Sequence, residues 1–391
     1  MYIKAIDFHY KSSEGSGWRI QNCEFNSINL ITGKNSSGKT RLLHAIESFA
    51  NLLSLDYINP GDSACLQGAI TLQNEDDEMI YEFSSKKDHI LKEELRINGE
   101  VYLRRDAEGK GTILYATLEN KKLEFEIEKN KIVVTSKRDK KQHPFLEALF
   151  DWSNHVFLYR FGGHLGRDTP SLIAECDPFG SDNSILKKLR KDGDSVVLKF
   201  ELGIKAFGDT FKQKIVEDFN RIGYKINDIY VAPYRSPHTA TARTTLPKIL
   251  YISECNVADK ISQIDISQGM FRVLSLIIQL TYLEFQVTRH STILIDDIGE
   301  GLDFDRSTNL ITFLIAKAES LKDKMQLVMT TNDRFVMNNV PLNYWMIIEK
   351  TDGDIRFYSE KINPELFEEF GYIGLNNFDF FSGQYYKHRS S

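Results

Sequence analysis

Eight residues constrain this chain more than any others. Gly33-Lys34-Asn35-Ser36-Ser37-Gly38-Lys39-Thr40 fit the pattern GxxxxGK[ST], and they stand between the apolar run Ile28-Asn29-Leu30-Ile31 and the segment RLLHAIESFANLL. The run reads as a strand, and Leu42, Leu43, Ile46, Phe49, Ala50 and Leu53 fall on one face of a helix. A glycine loop between a strand and a helix turns backbone N–H groups inward, and the helix adds the positive end of its dipole, so the unit suits phosphate oxygens. In that chemistry residues Gly33 to Gly38 and Arg41 cradle phosphate oxygens, Lys39 reaches the β and γ phosphates, and the Thr40 hydroxyl ligates Mg²⁺.

The chain has 391 residues, enough for two or three domains or one large domain with an insertion, at roughly 150 residues each. The spacing predicts five regions. Residues 1–58 form the first half of an α/β head, and 59–143 a β-rich insertion of short alternating strands such as AITLQ, EMIYEF, TILYATL, LEFEIE and KIVVTS. Residues 144–260 read as mixed and mostly helical, with SILKKLRK, the amphipathic GDTFKQKIVEDFNRI and then a strand, DIYVAP. Residues 261–350 return to strand and helix alternation: the nearly all-apolar helix MFRVLSLIIQLTYLEF, the strand TILIDD, the helix RSTNLITFLIAKAESL and the strand QLVMTT. Residues 351–391 hold the end of a hairpin with an Asp352-Gly353 turn and an aromatic tail. The expected fold is a mostly parallel sheet assembled from both ends of the chain.

Net charge is 49 − 55 = −6, so no global basic field draws the chain to nucleic acid or an anionic membrane. The basic stretches SKRDKKQ at 136–142 and Lys187-Lys188-Leu189-Arg190-Lys191 read as solvated faces or as local nucleic-acid contacts. No signal peptide or membrane-length apolar run is evident, so a cytoplasmic location without membrane contact is expected. Cys23, Cys65, Cys176 and Cys255 have no zinc spacing and read as free thiols, and the nine histidines are scattered.

Two further motifs carry chemistry. In Thr292-Ile293-Leu294-Ile295-Asp296-Asp297, a buried strand ends in carboxylate where Mg²⁺ beside a phosphate loop needs one. Asp296 is the metal partner, and Asp297 is placed to polarise the attacking water. Ile266-Ser267-Gln268-Gly269-Met270-Phe271-Arg272 precedes a helix, and TTND follows at 330–333.

In this order of motifs the chain resembles the ABC-type AAA ATPases of the SMC, RecF and overcoming-lysogenization-defect group. The resemblance covers about 1–58 and 261–350. It implies an ABC-type head in which INLITGKNSSGKTRLL is the Walker A segment and TILIDD the Walker B strand. Ser267, Gln268 and Gly269 then belong to the signature that meets the γ-phosphate of a partner subunit's ATP. Gly301-Leu302-Asp303 would be the D-loop and Thr331-Asn332-Asp333 the switch segment. One copy of each motif implies a homodimer or higher homo-oligomer, with ATP held between heads.

Two positions depart from the pattern. Asp297 stands where the group has Glu, and Asn332 where it has His, so slow hydrolysis is expected. Glu300 is an alternative base. Residues 351–391 are too few for a toprim nuclease domain. A head without arms or nuclease resembles the stand-alone ATPases of phage-defence operons such as PARIS and Septu, which implies a separate effector protein, a nuclease or toxin. A RecF-like repair ATPase on duplex DNA and a non-hydrolysing, ATP-locked scaffold remain as alternatives. The tail, ELFEEFGYIGLNNFDFFSGQYYKHRSS, either docks on its own domain or serves as a partner-binding strip.

Overall fold

The computed structural model describes residues 1–12, 14, 16–54, 65–87, 89–118, 121–170, 191–234, 246–255, 259–286, 290–321, 324–351, 354–371 and 373–387. The first half of the chain contributes β1 (Tyr2–Lys11), β2 (Gly17–Glu24), β3 (Ile28–Thr32) and α1 (Lys39–Ser54). Then come β4 (Cys65–Asn74), β5 (Asp77–Lys86), β6 (His89–Ile97), β7 (Glu100–Arg105), β8 (Lys110–Tyr115) and β9 (Lys121–Glu126). The middle holds α2 (Val133–Ser136), α3 (Pro144–Asn154), β10 (Val156–Arg160), α4 (Val196–Phe207), α5 (Asp209–Arg221), β11 (Ile226–Pro233), β12 (Lys248–Glu254) and β13 (Lys260–Ser262). The last part is α6 (Gln268–Gln286), β14 (Ser291–Asp296), α7 (Phe304–Ser320), β15 (Met325–Thr331), α8 (Arg334–Asn339), β16 (Trp345–Thr351), β17 (Asp354–Tyr358), α9 (Pro364–Gly371) and α10 (Asn377–Ser382).

One sheet of 14 strands runs β10-β14-β15-β3-β16-β17-β2-β1-β4-β5-β6-β7-β8-β9. From β10 through β16 neighbours are parallel, and both ends of the chain meet there, because β3 lies between β15 and β16. These strands read as continuous apolar runs because both faces are covered. Ile28 and Leu30 face one core with Ile293, Leu327 and Ile347. Ile31 faces the other, with Leu294, Val328 and Met346. Helix α1 covers that second side with Leu42, Leu43 and Ile46, while α4 to α7 cover the first. The α/β architecture, with parallel strands drawn from both ends of the chain, is the expected one.

β17 pairs in parallel with β2; from β2 onward the sheet is antiparallel, and the meander β4 to β9 extends from β1 without a break. One segment of it differs from expectation. KIVVTS forms the short helix α2, because the buried Glu93 carboxylate accepts from the N–H groups of Val133 (3.1 and 3.0 Å) and Val134 (3.3 Å). Burial raises the proton affinity of Glu93, while those N–H groups and nearby Arg105 oppose the shift. The segment expected to be mostly helical contains β10, the edge strand that pairs in parallel with β14, and DIYVAP joins a separate three-stranded sheet, β11-β12-β13.

The tail folds back on its own head: Phe367, Phe370, Phe380 and Tyr386 are buried in the core that α6 and α7 share. Cys23, Cys65 and Cys255 are free thiols. Cys176, residues 187–190 of the second basic stretch, and the Asp352-Gly353 turn lie outside the described residues. In the first basic stretch, Arg138 lies 3.6 Å over the Phe150 ring and pairs with Glu147. Among the described residues, no helix is long and apolar enough to cross a membrane.

Candidate nucleotide site

The loop after β3 owes its shape to three backbone constraints. A Cβ at Gly33 would lie 2.4 Å from the carbonyl oxygen of Ile348 on β16, so only glycine fits against that strand. Ser36 and Gly38 take left-handed φ values of 63° and 108°, which curl the chain before α1 begins at Lys39. The first N–H groups of a helix have no partner within it, so α1 opens with donors aimed at the loop. Ser37 adds a buried hydroxyl with no hydrogen-bond partner among the described residues. Lys34, Asn35, Ser36 and Arg41 are exposed around this rim.

Lys39 is buried, and its ammonium donates to the carbonyls of Gly33 at 2.8 Å and Lys34 at 3.2 Å. Burial lowers its pKa, and the carboxylates of Asp297 and Asp296 pull the other way. The Thr40 hydroxyl donates to the Asp296 carboxylate, 3.0 Å from Oδ2 and 3.2 Å from Oδ1. Phosphate loop and acidic strand therefore meet at the carboxyl end of the parallel strands.

The next strand sets both acidic residues. The Thr330 hydroxyl donates to Asp296 Oδ1 at 2.6 Å and accepts from the Asp297 N–H at 2.8 Å. Asp297 has a left-handed φ of 55°, so the chain reverses there and its carboxyl leaves the line of β14. Burial raises the proton affinity of that carboxyl, Asp296 and Glu300 add to the rise, and Lys39 opposes it. Glu300 lies close by: a Cβ built on Gly162 would be 2.7 Å from Glu300 Oε2 and 3.4 Å from Asp297 Oδ2. Asn332 is exposed just past the end of β15, ahead of Asp333, which caps α8.

The Ser267 to Gly269 face lies elsewhere. A Cβ on Gly269 would stand 2.6 Å from the carbonyl oxygen of Gly301, so the start of α6 touches the loop after β14. Ser267, Gly269, Gly301, Asp303 and Tyr224 line a groove of about 580 Å³ that no residue of the phosphate loop enters. Among the described residues, the structure brings Lys39, Thr40, Asp296 and Asp297 together and leaves Ser267, Gln268 and Gly269 on another face.

Sequence reasoning passed over two residues that hold this site. Thr330 was read only as part of TTND. Arg272, the end of the segment ISQGMFR, is buried, and its guanidinium donates to the carbonyls of Gly163 (2.9 Å), Gly162 (2.7 Å) and Glu300 (2.9 Å). An arginine one turn into an otherwise apolar helix was the available signal, since a buried charge requires partners.

No family model matches the chain, and no curated protein does. Solved structures do. One is the SmcHead bound to the C-winged helix domain of ScpA, at a TM-score of 0.53 and 14% identity, with 93% of this chain and 99% of that chain covered. Another is the Smc head domain with an extended coiled coil bound to the C-terminal domain of ScpA, derived from Pyrococcus furiosus, at 0.48 and 12%, covering 95% and 99%. The first likeness defines the class of fold: this chain has the fold of an SMC head, an ABC-type ATPase head.

Proposed function

We propose that the chain binds ATP with Mg²⁺ at the phosphate loop and hydrolyses it slowly, in a pair of heads that the nucleotide joins, and that this state controls a separate effector. The convergence of Lys39, Thr40, Asp296 and Asp297 at one end of the sheet carries the reading. The residues fit both groups. An alcohol oxygen and a carboxylate 3.0 Å apart are the hard oxygen donors that Mg²⁺ takes, and the unpaired Ser37 hydroxyl and the opening N–H groups of α1 are donors for phosphate oxygens. Thr40 and Asp296 would hold the metal, which when bound neutralises charge on the β and γ phosphates.

Lys39 exchanges its two loop carbonyls for phosphate oxygens, a stronger, charge-assisted pairing. Asp297 orients and deprotonates the attacking water, and its raised proton affinity makes it a better base than a surface aspartate. Its short side chain on a left-handed backbone supports slow turnover, because a base out of reach loses most of its advantage. Asn332 supplies a neutral hydrogen bond at the same end of the sheet.

The groove at Ser267 and Gly269 supports completion of the site by a second copy, since its own phosphate loop does not enter it. A head surface that holds another protein has a precedent in the SMC head solved with part of ScpA. Sequence resemblance alone supports the further step, that the effector is a nuclease or toxin in a two-gene anti-phage system.

The test is the mass in solution and the phosphate release of wild type, Lys39→Ala and Asp297→Ala, with and without Mg-ATP. Wild type should associate with ATP and release phosphate more slowly than the roughly 10 per second of a median enzyme. Asp297→Ala should stay associated without release, and Lys39→Ala should do neither. Normal binding and hydrolysis by Lys39→Ala would sink the assignment; association without any release in wild type would leave the scaffold reading.

A further inference from the structure

We propose that Arg160 is a further catalytic residue, a cation supplied from within the same chain to the phosphoryl group being transferred; the inference rests on the ATPase reading above. Strand β10 runs parallel to β14, with Arg160 in register with Asp296. Residues in register on neighbouring strands point to the same face, about 4.8 Å apart. Along β10, Phe157 and Tyr159 pack into the core under α6, whereas Val156 and Leu158 pack into the core under α1. Alternation therefore places Arg160 on the α1 face, with Asp296 and Thr40, as the last residue of its strand at the carboxyl end of the sheet.

The backbone around Arg160 is held on every side. The Phe161 N–H donates to the carbonyl of Asp296 at 2.9 Å, and the Gly163 N–H closes a turn on the Arg160 carbonyl at 2.9 Å. Arg272 then clamps the carbonyls two and three residues on, those of Gly162 and Gly163. Such anchoring is far more than a surface cation needs.

The side chain, by contrast, remains available. It is 63% exposed, and its ion pair with Glu47 of α1 spans 4.0 Å, while Glu47 also meets His44 at 3.0 Å. A pair of that length and exposure is a weak anchor. In phosphoryl transfer, negative charge spreads over three equatorial oxygens. Lys39 approaches from the loop side, and a planar guanidinium entering beside Asp296 can donate to two of the remaining positions at once. Its attraction grows as charge develops, so it acts on rate more than on binding.

The experiment compares wild type, Arg160→Ala, Arg160→Lys and Lys39→Ala in ATP binding, in single-turnover phosphate release, and in binding of ADP with aluminium fluoride, a planar mimic of the transferred group. Arg160→Ala should melt with wild type and bind ATP nearly as well. Its release and its affinity for the mimic should fall together by roughly 10²- to 10³-fold, the usual loss for one preorganised donor. Added guanidinium ion should restore part of the rate to Arg160→Ala and none to Lys39→Ala, and Arg160→Lys should fall between. Wild-type rate and mimic affinity in Arg160→Ala overturn the proposal, as does a loss of ATP binding in step with rate. If wild type and Lys39→Ala release phosphate alike, the ATPase reading fails and takes this one with it; if only Lys39→Ala is inactive, this inference fails alone.

Discussion

Replacing Arg272 by alanine probes how the start of α6 is joined to the acidic end of β14. The guanidinium makes three hydrogen bonds to carbonyls, at 2.7, 2.9 and 2.9 Å, and the residue is 6% exposed. Each bond from a charged donor contributes about 1.5–3 kcal/mol on its own. The three share one rigid group, and the carbonyls they would release lie in partly exposed loops that water reaches, so they do not add in full. The net loss should then be about 3–5 kcal/mol, the range for breaking a buried charge network. In a chain of this size about 2 °C accompanies each kcal/mol, so Arg272→Ala should melt roughly 6–10 °C lower. Arg272→Lys keeps the charge and can reach one carbonyl, so its loss should be about half as large. Scanning calorimetry reads the shift, run beside ATP binding and phosphate release. Release should fall further than binding, because the loop that loosens carries Glu300 and borders Asp297. An Arg272→Ala protein that melts within about 2 °C of wild type would refute the reasoning.

Other perturbations follow from single contacts. Gly269→Ala puts a Cβ 2.6 Å from the Gly301 carbonyl, and relief to an ordinary contact moves two backbones apart at a cost of about 1–3 kcal/mol. ATP-dependent association should weaken while ATP binding by the single head is kept; association at the wild-type concentration would contradict this. Lys199 is buried and donates to Gln279 Oε1 and to the Asp192 carbonyl, and burial lowers its pKa to about 7. Between that value and the unfolded value near 10.5 the unfolded chain binds the proton more tightly, so stability contributed by this site rises with pH across the window. Denaturant midpoints at pH 7 and 9 should show a rise in wild type relative to Lys199→Met; parallel curves would show that the amine does not titrate there.

The parts of the site that were readable from sequence are those in which neighbouring residues make the structure. Gly33 to Thr40 and the helix after them form one local unit, and an apolar strand ending in Asp296 announces itself by its pattern. What escaped depends on distant partners. Val133 and Val134 have the composition of a strand, but Glu93, 40 residues earlier, offers their N–H groups a carboxylate and the helix wins. Strand β10 is five residues long, too short to carry a period of its own, and only its seat beside β14 makes it a strand. Thr330 gains its role from the last residue of a neighbouring strand and the one after it, which no spacing within TTND reveals. The aromatic tail offered two destinations, and burial of Phe367, Phe370 and Phe380 against the core shared by α6 and α7 selects the first.

The position of β3 between β15 and β16 also bears on how the molecule comes to be folded. The strand that leads into the phosphate loop pairs on both sides with segments made about 300 residues later, and Gln326 ties itself to Ile3, 323 positions away. Contacts of such sequence separation form slowly, because a long loop must close before any of them is rewarded. During synthesis the meander β4 to β9 can pair with β1 at once, whereas β3 waits with its apolar faces uncovered. The glycine loop after β3 is thus made long before β15 and β16, the strands that flank its own, so a chain that stops ahead of them would display residues Gly33 to Thr40 without the sheet that positions them.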